Sequence, residues 1–268
     1  MVNDPNKDWE QFGKEDPYFG VVSLDRFHKT NLTPAALAEF FDSGRDHVEY
    51  ILGTIRAHID AAYQPQVALD FGCGVGRCTI PMAQLCKRVT GVDVSAAMIE
   101  EGKSNALAQS VNNIEWVTSG DLGTVKGKFD FVHSFIVFQH IPPATGMVLL
   151  SRLVDLLATD GMASVQLIYH KNISRLKRIM GRIRISIPLV HNLTNLYYGK
   201  PFTFPLMQKN AYDLNAVFAL LQQKGCGSCV VRLAATKELH AAVVFFRKRP
   251  DAIPYFQFYN SSNEAKSL

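Results

Sequence analysis

The chain has 268 residues, is 47% hydrophobic, and carries 28 Lys and Arg against 24 Asp and Glu, a formal net charge of +4. That length and apolar content can bury a full core but leave no room for two large domains. The mild positive balance gives no argument for nucleic acid, no apolar run approaches the roughly 18 residues of a membrane span, and the N-terminal Met-Val-Asn-Asp-Pro-Asn-Lys-Asp has no signal-peptide core, so a cytoplasmic protein is expected.

In chain order, residues 1–66 read as helices. Trp9, Phe12 and Asp16-Pro17-Tyr18-Phe19 precede Thr33-Pro34, an N-cap followed by a helix-starting proline. After Gly44 a second helix is expected, with Val48, Ile51, Leu52, Ile55 and Ile59 at helical spacing. A short strand from Val67 through Asp70 then runs into Gly72, Gly74 and Gly76. Glycine there permits positive φ and close approach of a ligand to the main chain, and the helix that follows, Cys78 to about Lys87, offers its positive N-terminal end. Pro81 fits only near the start of that helix. The dinucleotide spacing Gly-x-Gly-x-x-Gly fails, because Arg77 stands where its third glycine belongs. Val89 to Asp93 forms the next strand, and its final acid is suited to a ribose diol.

Further strands are expected at Ile114 to Val117, Phe129 to Phe135 and Met162 to Ile168, the last entered through a helix ending near Leu157 and a turn at Asp160-Gly161. Alternating strands and helices predict a parallel sheet with helices on both faces and ligands at the strand C-termini. A helix from Ala216 to Gln223 stops at Gly225, and Val230 to Leu233 with Ala241 to Phe246 reads as an antiparallel pair. Cys226-Gly-Ser-Cys229 has the spacing of a redox or zinc pair, but no second pair completes four ligands and the motif precedes a strand, so five unpaired thiols in a reducing compartment are expected.

Asp70-x-Gly-x-Gly-x-Gly after a strand, with Asp93 after the next, Ser119-Gly120-Asp121-Leu122 after the third and Phe129-Asp130-Phe131-Val132 opening the fourth, resembles the class I S-adenosylmethionine (SAM) dependent methyltransferases over residues 67–168. The resemblance implies an α/β, Rossmann-like, doubly wound sheet of seven strands, mostly parallel, with an antiparallel last strand inserted between the fifth and sixth. It implies SAM as cofactor, held by Asp70, Gly72, Gly74, Gly76, Arg77, Asp93, Val94, Met98, Asp121, Leu122 and Ser134. The division that goes with it is an N-terminal lid (1–66), a SAM-binding core (67–170), an inserted cap (171–212), the end of the core sheet (213–250) and a polar tail (251–268).

Relatives of this kind act on small molecules, and His140 stands where a base for a hydroxyl acceptor is expected, or else a histidine supporting the cofactor loop; His133, inside its strand, reads as structural. O-methylation is slightly favoured. Tyr18, Tyr169, His170, Tyr197 and Tyr198 are the candidate substrate residues. Ser134-Phe135-Ile136-Val137 replaces the Asn/Asp-Pro-Pro-Tyr signature of amino-methylating nucleic-acid enzymes, so nucleic acid is disfavoured, and no metal is expected. The alternatives are a non-catalytic SAM-binding sensor or scaffold and, less favoured, an NAD(P) oxidoreductase. In the cap, Ile173, Leu176, Ile179, Met180 and Ile183 form an apolar stripe expected to pack on the body. Beside it stand Lys171, Arg175, Lys177, Arg178, Arg182 and Arg184 without an acid, a solvated face or else an attraction for an acidic or lipid-like acceptor or for anionic headgroups at a membrane surface.

Overall fold

A computed structural model describes residues 5–249, so the expected polar tail, 251–268, lies outside the described residues. Three helices precede the sheet: α1 (Pro5–Glu15), α2 (Pro17–Val21) and α3 (Pro34–His58). The Thr33 hydroxyl caps α3 by accepting from the Ala36 N–H at 3.2 Å, and Pro34 occupies its first turn, where a missing N–H costs nothing. The break expected at Gly44 does not occur, and α3 runs unbroken through it. The glycine serves an approach instead, since a Cβ there would lie 1.9 Å from the Arg77 carbonyl oxygen.

The remaining elements are β1 (Val67–Phe71), α4 (Thr79–Leu85), β2 (Arg88–Asp93), α5 (Ala96–Ala108), β3 (Ile114–Thr118), β4 (Phe129–Ser134), α6 (Pro143–Leu156), β5 (Leu157–Lys171), α7 (Arg175–Ser186), α8 (Pro188–Tyr197), α9 (Leu214–Gln223), β6 (Ser228–Ala235) and β7 (Leu239–Arg247). The strands form one sheet in the order β3-β2-β1-β4-β5-β7-β6, with β7 antiparallel to both neighbours and every other pairing parallel. The expected doubly wound sheet with its inserted antiparallel strand is therefore present. Strand order reverses between β1 and β4, the switch point where such sheets leave a crevice.

Consecutive strand residues point to opposite faces, and both faces are covered. Ala68, Phe131 and Phe245 pack against Val48, Ile51, Leu52 and Ile55 of α3, while Leu69, Val132 and Val244 pack against Leu149, Leu153 and Val154 of α6 and Leu221 of α9. β5 is longer than its expected 162–168: it begins at Leu157, and Asp160, with φ 62°, bends it where a turn was expected. The Asp160 carboxylate holds that bend by accepting from Arg247 Nε at 3.1 Å and Arg249 Nε at 3.1 Å. After α9, Gly225 at φ 79° donates to the Gln222 carbonyl and Cys226 to the Leu221 carbonyl, the paired bonds of a Schellman end. Cys226 is thus a buried helix-terminal residue and Cys229 an exposed strand residue, both free thiols.

Candidate functional site

Above the switch point lies a cavity of about 510 Å³, built from the loops that leave β1, β2, β3 and β4. Gly72 and Gly74 form its floor, both with positive φ (77° and 51°). At Gly72 a Cβ would sit 2.1 Å from a Val137 methyl, so the glycine lets the loop after β4 close over the loop after β1.

Asp93 ends β2 at the cavity wall, where its Oδ2 accepts from the Gly74 N–H at 2.9 Å and its Oδ1 from the Ser95 N–H at 2.9 Å. Burial raises the carboxyl above its usual range, while the N–H groups of Ser95, Gly74 and Val94 pull it back. Each oxygen keeps a lone pair for a further donor. Val94 and Met98 give the adjoining wall an apolar stretch. Asp121 closes that side, its carboxyl held low by the Gly123 N–H at 2.9 Å and the Ser119 hydroxyl at 3.2 Å.

His140 lines the opposite end of the cavity. Its Nδ1 lies 2.7 Å from the Gln208 carbonyl, so Nδ1 carries the proton and Nε2 is the ring's acceptor, met by the Gln139 amide at 2.9 Å. Burial pushes its pKa down to about 4 against the raising effect of that carbonyl, so the ring is neutral at physiological pH. The Trp9 ring meets it edge-on, with centroids 4.8 Å apart.

Trp9 reaches His140 because α1 is tied down at both flanks. Glu10 accepts from the Ser95 hydroxyl at 2.9 Å and the Ala97 N–H at 3.2 Å, and Gln11 donates to the Thr203 carbonyl at 3.0 Å. Pro5 and Asn6 of α1 thereby join the lining, together with Gly20 and Val21 of α2 and with Phe135, Ile136 and Val137 after β4. Sequence reasoning missed these residues.

Other expected site residues stand elsewhere. Asp70 is buried beneath the floor, accepting from the Thr79 hydroxyl at 2.6 Å and from His133 Nδ1 at 2.8 Å. His133 Nε2 in turn faces His47 Nε2 at 3.0 Å, one of the two carrying the shared proton, and His133 does not line the cavity. Gly76 packs against Ile80 and Trp116, and the Arg77 guanidinium lies behind the cavity over the Phe135 ring at 5.7 Å, with Ser43 Oγ at 3.3 Å. Leu122 turns into the core at φ 62°, and the buried Ser134 hydroxyl donates to the Phe71 carbonyl at 2.9 Å.

None of the five candidate substrate residues lines the cavity. Tyr18 anchors α2 to α5, its hydroxyl 2.6 Å from Glu101 Oε1 and 2.9 Å from Asn105 Oδ1. Tyr169 packs on the core, and His170 faces His240 at 5.3 Å on the neighbouring strand. Tyr197 and Tyr198 are exposed, 82% and 66%, because α8 carries them outward.

A family model described as "Methyltransferase domain" matches residues 68–161, the stretch that supplies the floor, Asp93, Asp121 and His140. Residues 68–161 thus match a methyltransferase domain. Similar proteins include a magnesium protoporphyrin IX methyltransferase of Arabidopsis thaliana, 38% identical over 82 residues (30% of this chain and 26% of that protein). A magnesium-protoporphyrin O-methyltransferase of Synechocystis is 34% identical over 88 residues (32% and 38%), and a 23S rRNA (uracil-C5) methyltransferase of Alcanivorax borkumensis is 29% identical over 163 (59% and 34%). The chain thus spans only between 26% and 38% of the length of these curated relatives. The methyltransferase fold extends beyond the matched stretch: a crystal structure of the Synechocystis magnesium protoporphyrin IX methyltransferase with bound SAM superposes with TM-score 0.59 at 17% identity, covering 92% of this chain and 99% of that one.

Proposed function

We propose that the protein transfers the methyl group of SAM to a small-molecule acceptor, with an oxygen acceptor favoured. The observation that carries this reading is that Asp93, Asp121 and His140 share one cavity lining at the switch point of the sheet. The donor set fits the nucleoside half of the cofactor: Asp93 has lone pairs for a ribose diol, Val94 and Met98 offer apolar contact to a flat ring, and Asp121 can accept from an exocyclic amine. SAM, when bound, supplies an electrophilic methyl group on its sulfonium, so the protein's main task is alignment, which is worth up to roughly 7–11 kcal/mol.

His140 is the base we assign for a hydroxyl acceptor. Its neutral ring, with Nδ1–H held on the Gln208 carbonyl, keeps Nε2 available to take the acceptor's proton once the Gln139 amide gives way. Trp9, Val21 and Val137 close the cavity, which suits a compact acceptor and keeps water from the reacting atoms. The likeness to a magnesium-protoporphyrin O-methyltransferase supports an oxygen acceptor.

The test is a panel of hydroxyl, carboxylate and amine acceptors, scored by S-adenosylhomocysteine release from the purified protein. Release with a hydroxyl or carboxylate compound supports the proposal. Tight SAM binding with no release from any acceptor would favour the non-catalytic sensor, and release only with structured RNA would replace the small molecule.

A further inference from the structure

The helices α7 and α8 carry an amphipathic face that nothing in the described chain covers. The stripe expected to pack on the body instead faces solvent: no residue of α7 is buried, and Leu176, Ile179 and Met180 are 70%, 54% and 46% exposed. Leu189, Leu193 and Leu196 of α8, spaced to share one side of that helix, are likewise each more than half exposed. Exposed apolar surface of this extent marks an interaction site.

The surrounding charge selects the occupant. From residue 161 to residue 212 the chain has no Asp or Glu and eight Lys or Arg. At 3.6 residues per turn, Lys177 and Arg184 flank one side of the α7 stripe and Arg175 and Arg182 the other, with Arg178 behind. Glu238 pairs with Lys177 at 2.9 Å, whereas Arg175, Arg178 and Arg182 have no ion pair among the described residues. A second copy would bring the five cations of α7 against another five, so self-association through this face is opposed by like charge. Nucleic acid would use the cations and leave the leucines in water. An anionic bilayer surface satisfies both halves, taking the apolar stripe between its headgroups and the flanking cations on its phosphates, and the exposed Tyr197 and Tyr198 have the amphipathic rings suited to that boundary.

We propose that the α7–α8 segment docks the protein in the plane of an anionic lipid surface, as a peripheral contact. This does not rest on the methyl-transfer reading, because no α7 or α8 residue lines the cavity.

The test is co-sedimentation of the full chain with phosphatidylcholine vesicles and with vesicles that also contain phosphatidylglycerol. Binding to the anionic vesicles only, falling as salt rises, is expected. Replacing Arg175, Arg178 and Arg182 by glutamine should weaken partitioning about a hundredfold or more, at roughly a factor of five per cation. Leu176→Asn with Ile179→Asn should weaken it on the order of tenfold at unchanged charge. All five side chains are solvent-exposed, so an unchanged melting temperature is expected, and the salt titration of the parent needs no variant at all. No binding to anionic vesicles at low salt would overturn the proposal. So would a dimer that Ile179→Asn dissolves, or binding of structured RNA in place of vesicles.

Discussion

The cavity floor and the α7–α8 segment are built from the same kind of sequence, apolar residues at regular spacing among polar ones, yet they end in opposite places. In the sheet beneath the floor, Leu69, Val132 and Phe131 are fully buried between helices, and polar residues beneath the loop are paired: Asp70 with Thr79 and His133. In α7, Leu176 and Ile179 repeat at helical spacing and reach solvent. Periodicity fixes that a face is apolar and says nothing of what covers it. A strand buried on both sides needs no such information, whereas an amphipathic helix does.

The largest effect that would sharpen this contrast lies at His140. His140→Ala should lower turnover of a hydroxyl acceptor by about 10²- to 10⁴-fold while leaving SAM affinity little changed, read by steady-state kinetics and calorimetry. Loss of SAM binding together with turnover would make His140 a support of the loop and remove it as base.

Stability should divide along the same line. Phe131→Ala removes a ring held between α3 and the sheet and should cost about 3–5 kcal/mol, whereas Ile179→Ala should stay within about 0.5 kcal/mol, both by urea unfolding. A comparable loss from Ile179→Ala would mean that α7 packs on the body after all.

The pH dependence should follow the floor as well. Burial lowers the His140 pKa to about 4, and burial together with His133 and Arg77 lowers that of His47 to about 2. Unfolded, each ring takes its proton near pH 6.5, so below that pH the unfolded state binds more protons and is favoured. Stability present above about pH 6.5 should therefore fall as the pH drops toward 4, by about 2 kcal/mol at pH 5 for His140 alone. His140→Asn should show a shallower decline between pH 7 and pH 5 in denaturant titrations, and an unaltered slope would remove that ring as a cause.

How much of the site could be read from the sequence follows from where its information lies. Gly72, Gly74, Asp93, Val94 and Asp121 stand on or just past strand ends, and Met98 and His140 on the helical turns that follow, where local spacing fixes direction, and all line the cavity. Asp70 lies one residue before the loop and points under it, a difference of facing that the motif does not encode. Trp9 and Val21 were not legible because α1 and α2 reach the cavity through distant bonds, Glu10 to Ser95 and Tyr18 to Glu101, that leave no local pattern. The close approach at Gly44 likewise depends on Arg77, far along the chain, whose carbonyl rises against it.

The central claim, that the cavity above the switch point holds SAM with Asp93 on its ribose, is tested most directly by titration calorimetry of SAM into the parent and into Asp93→Ala. Hydrogen bonds to a charged acceptor are worth roughly 1.5–3 kcal/mol each, so loss of the carboxylate should weaken binding by at least about 30-fold in a variant that still folds. Near-equal affinity in the two proteins would contradict the assignment, as would tight NADH binding by the parent.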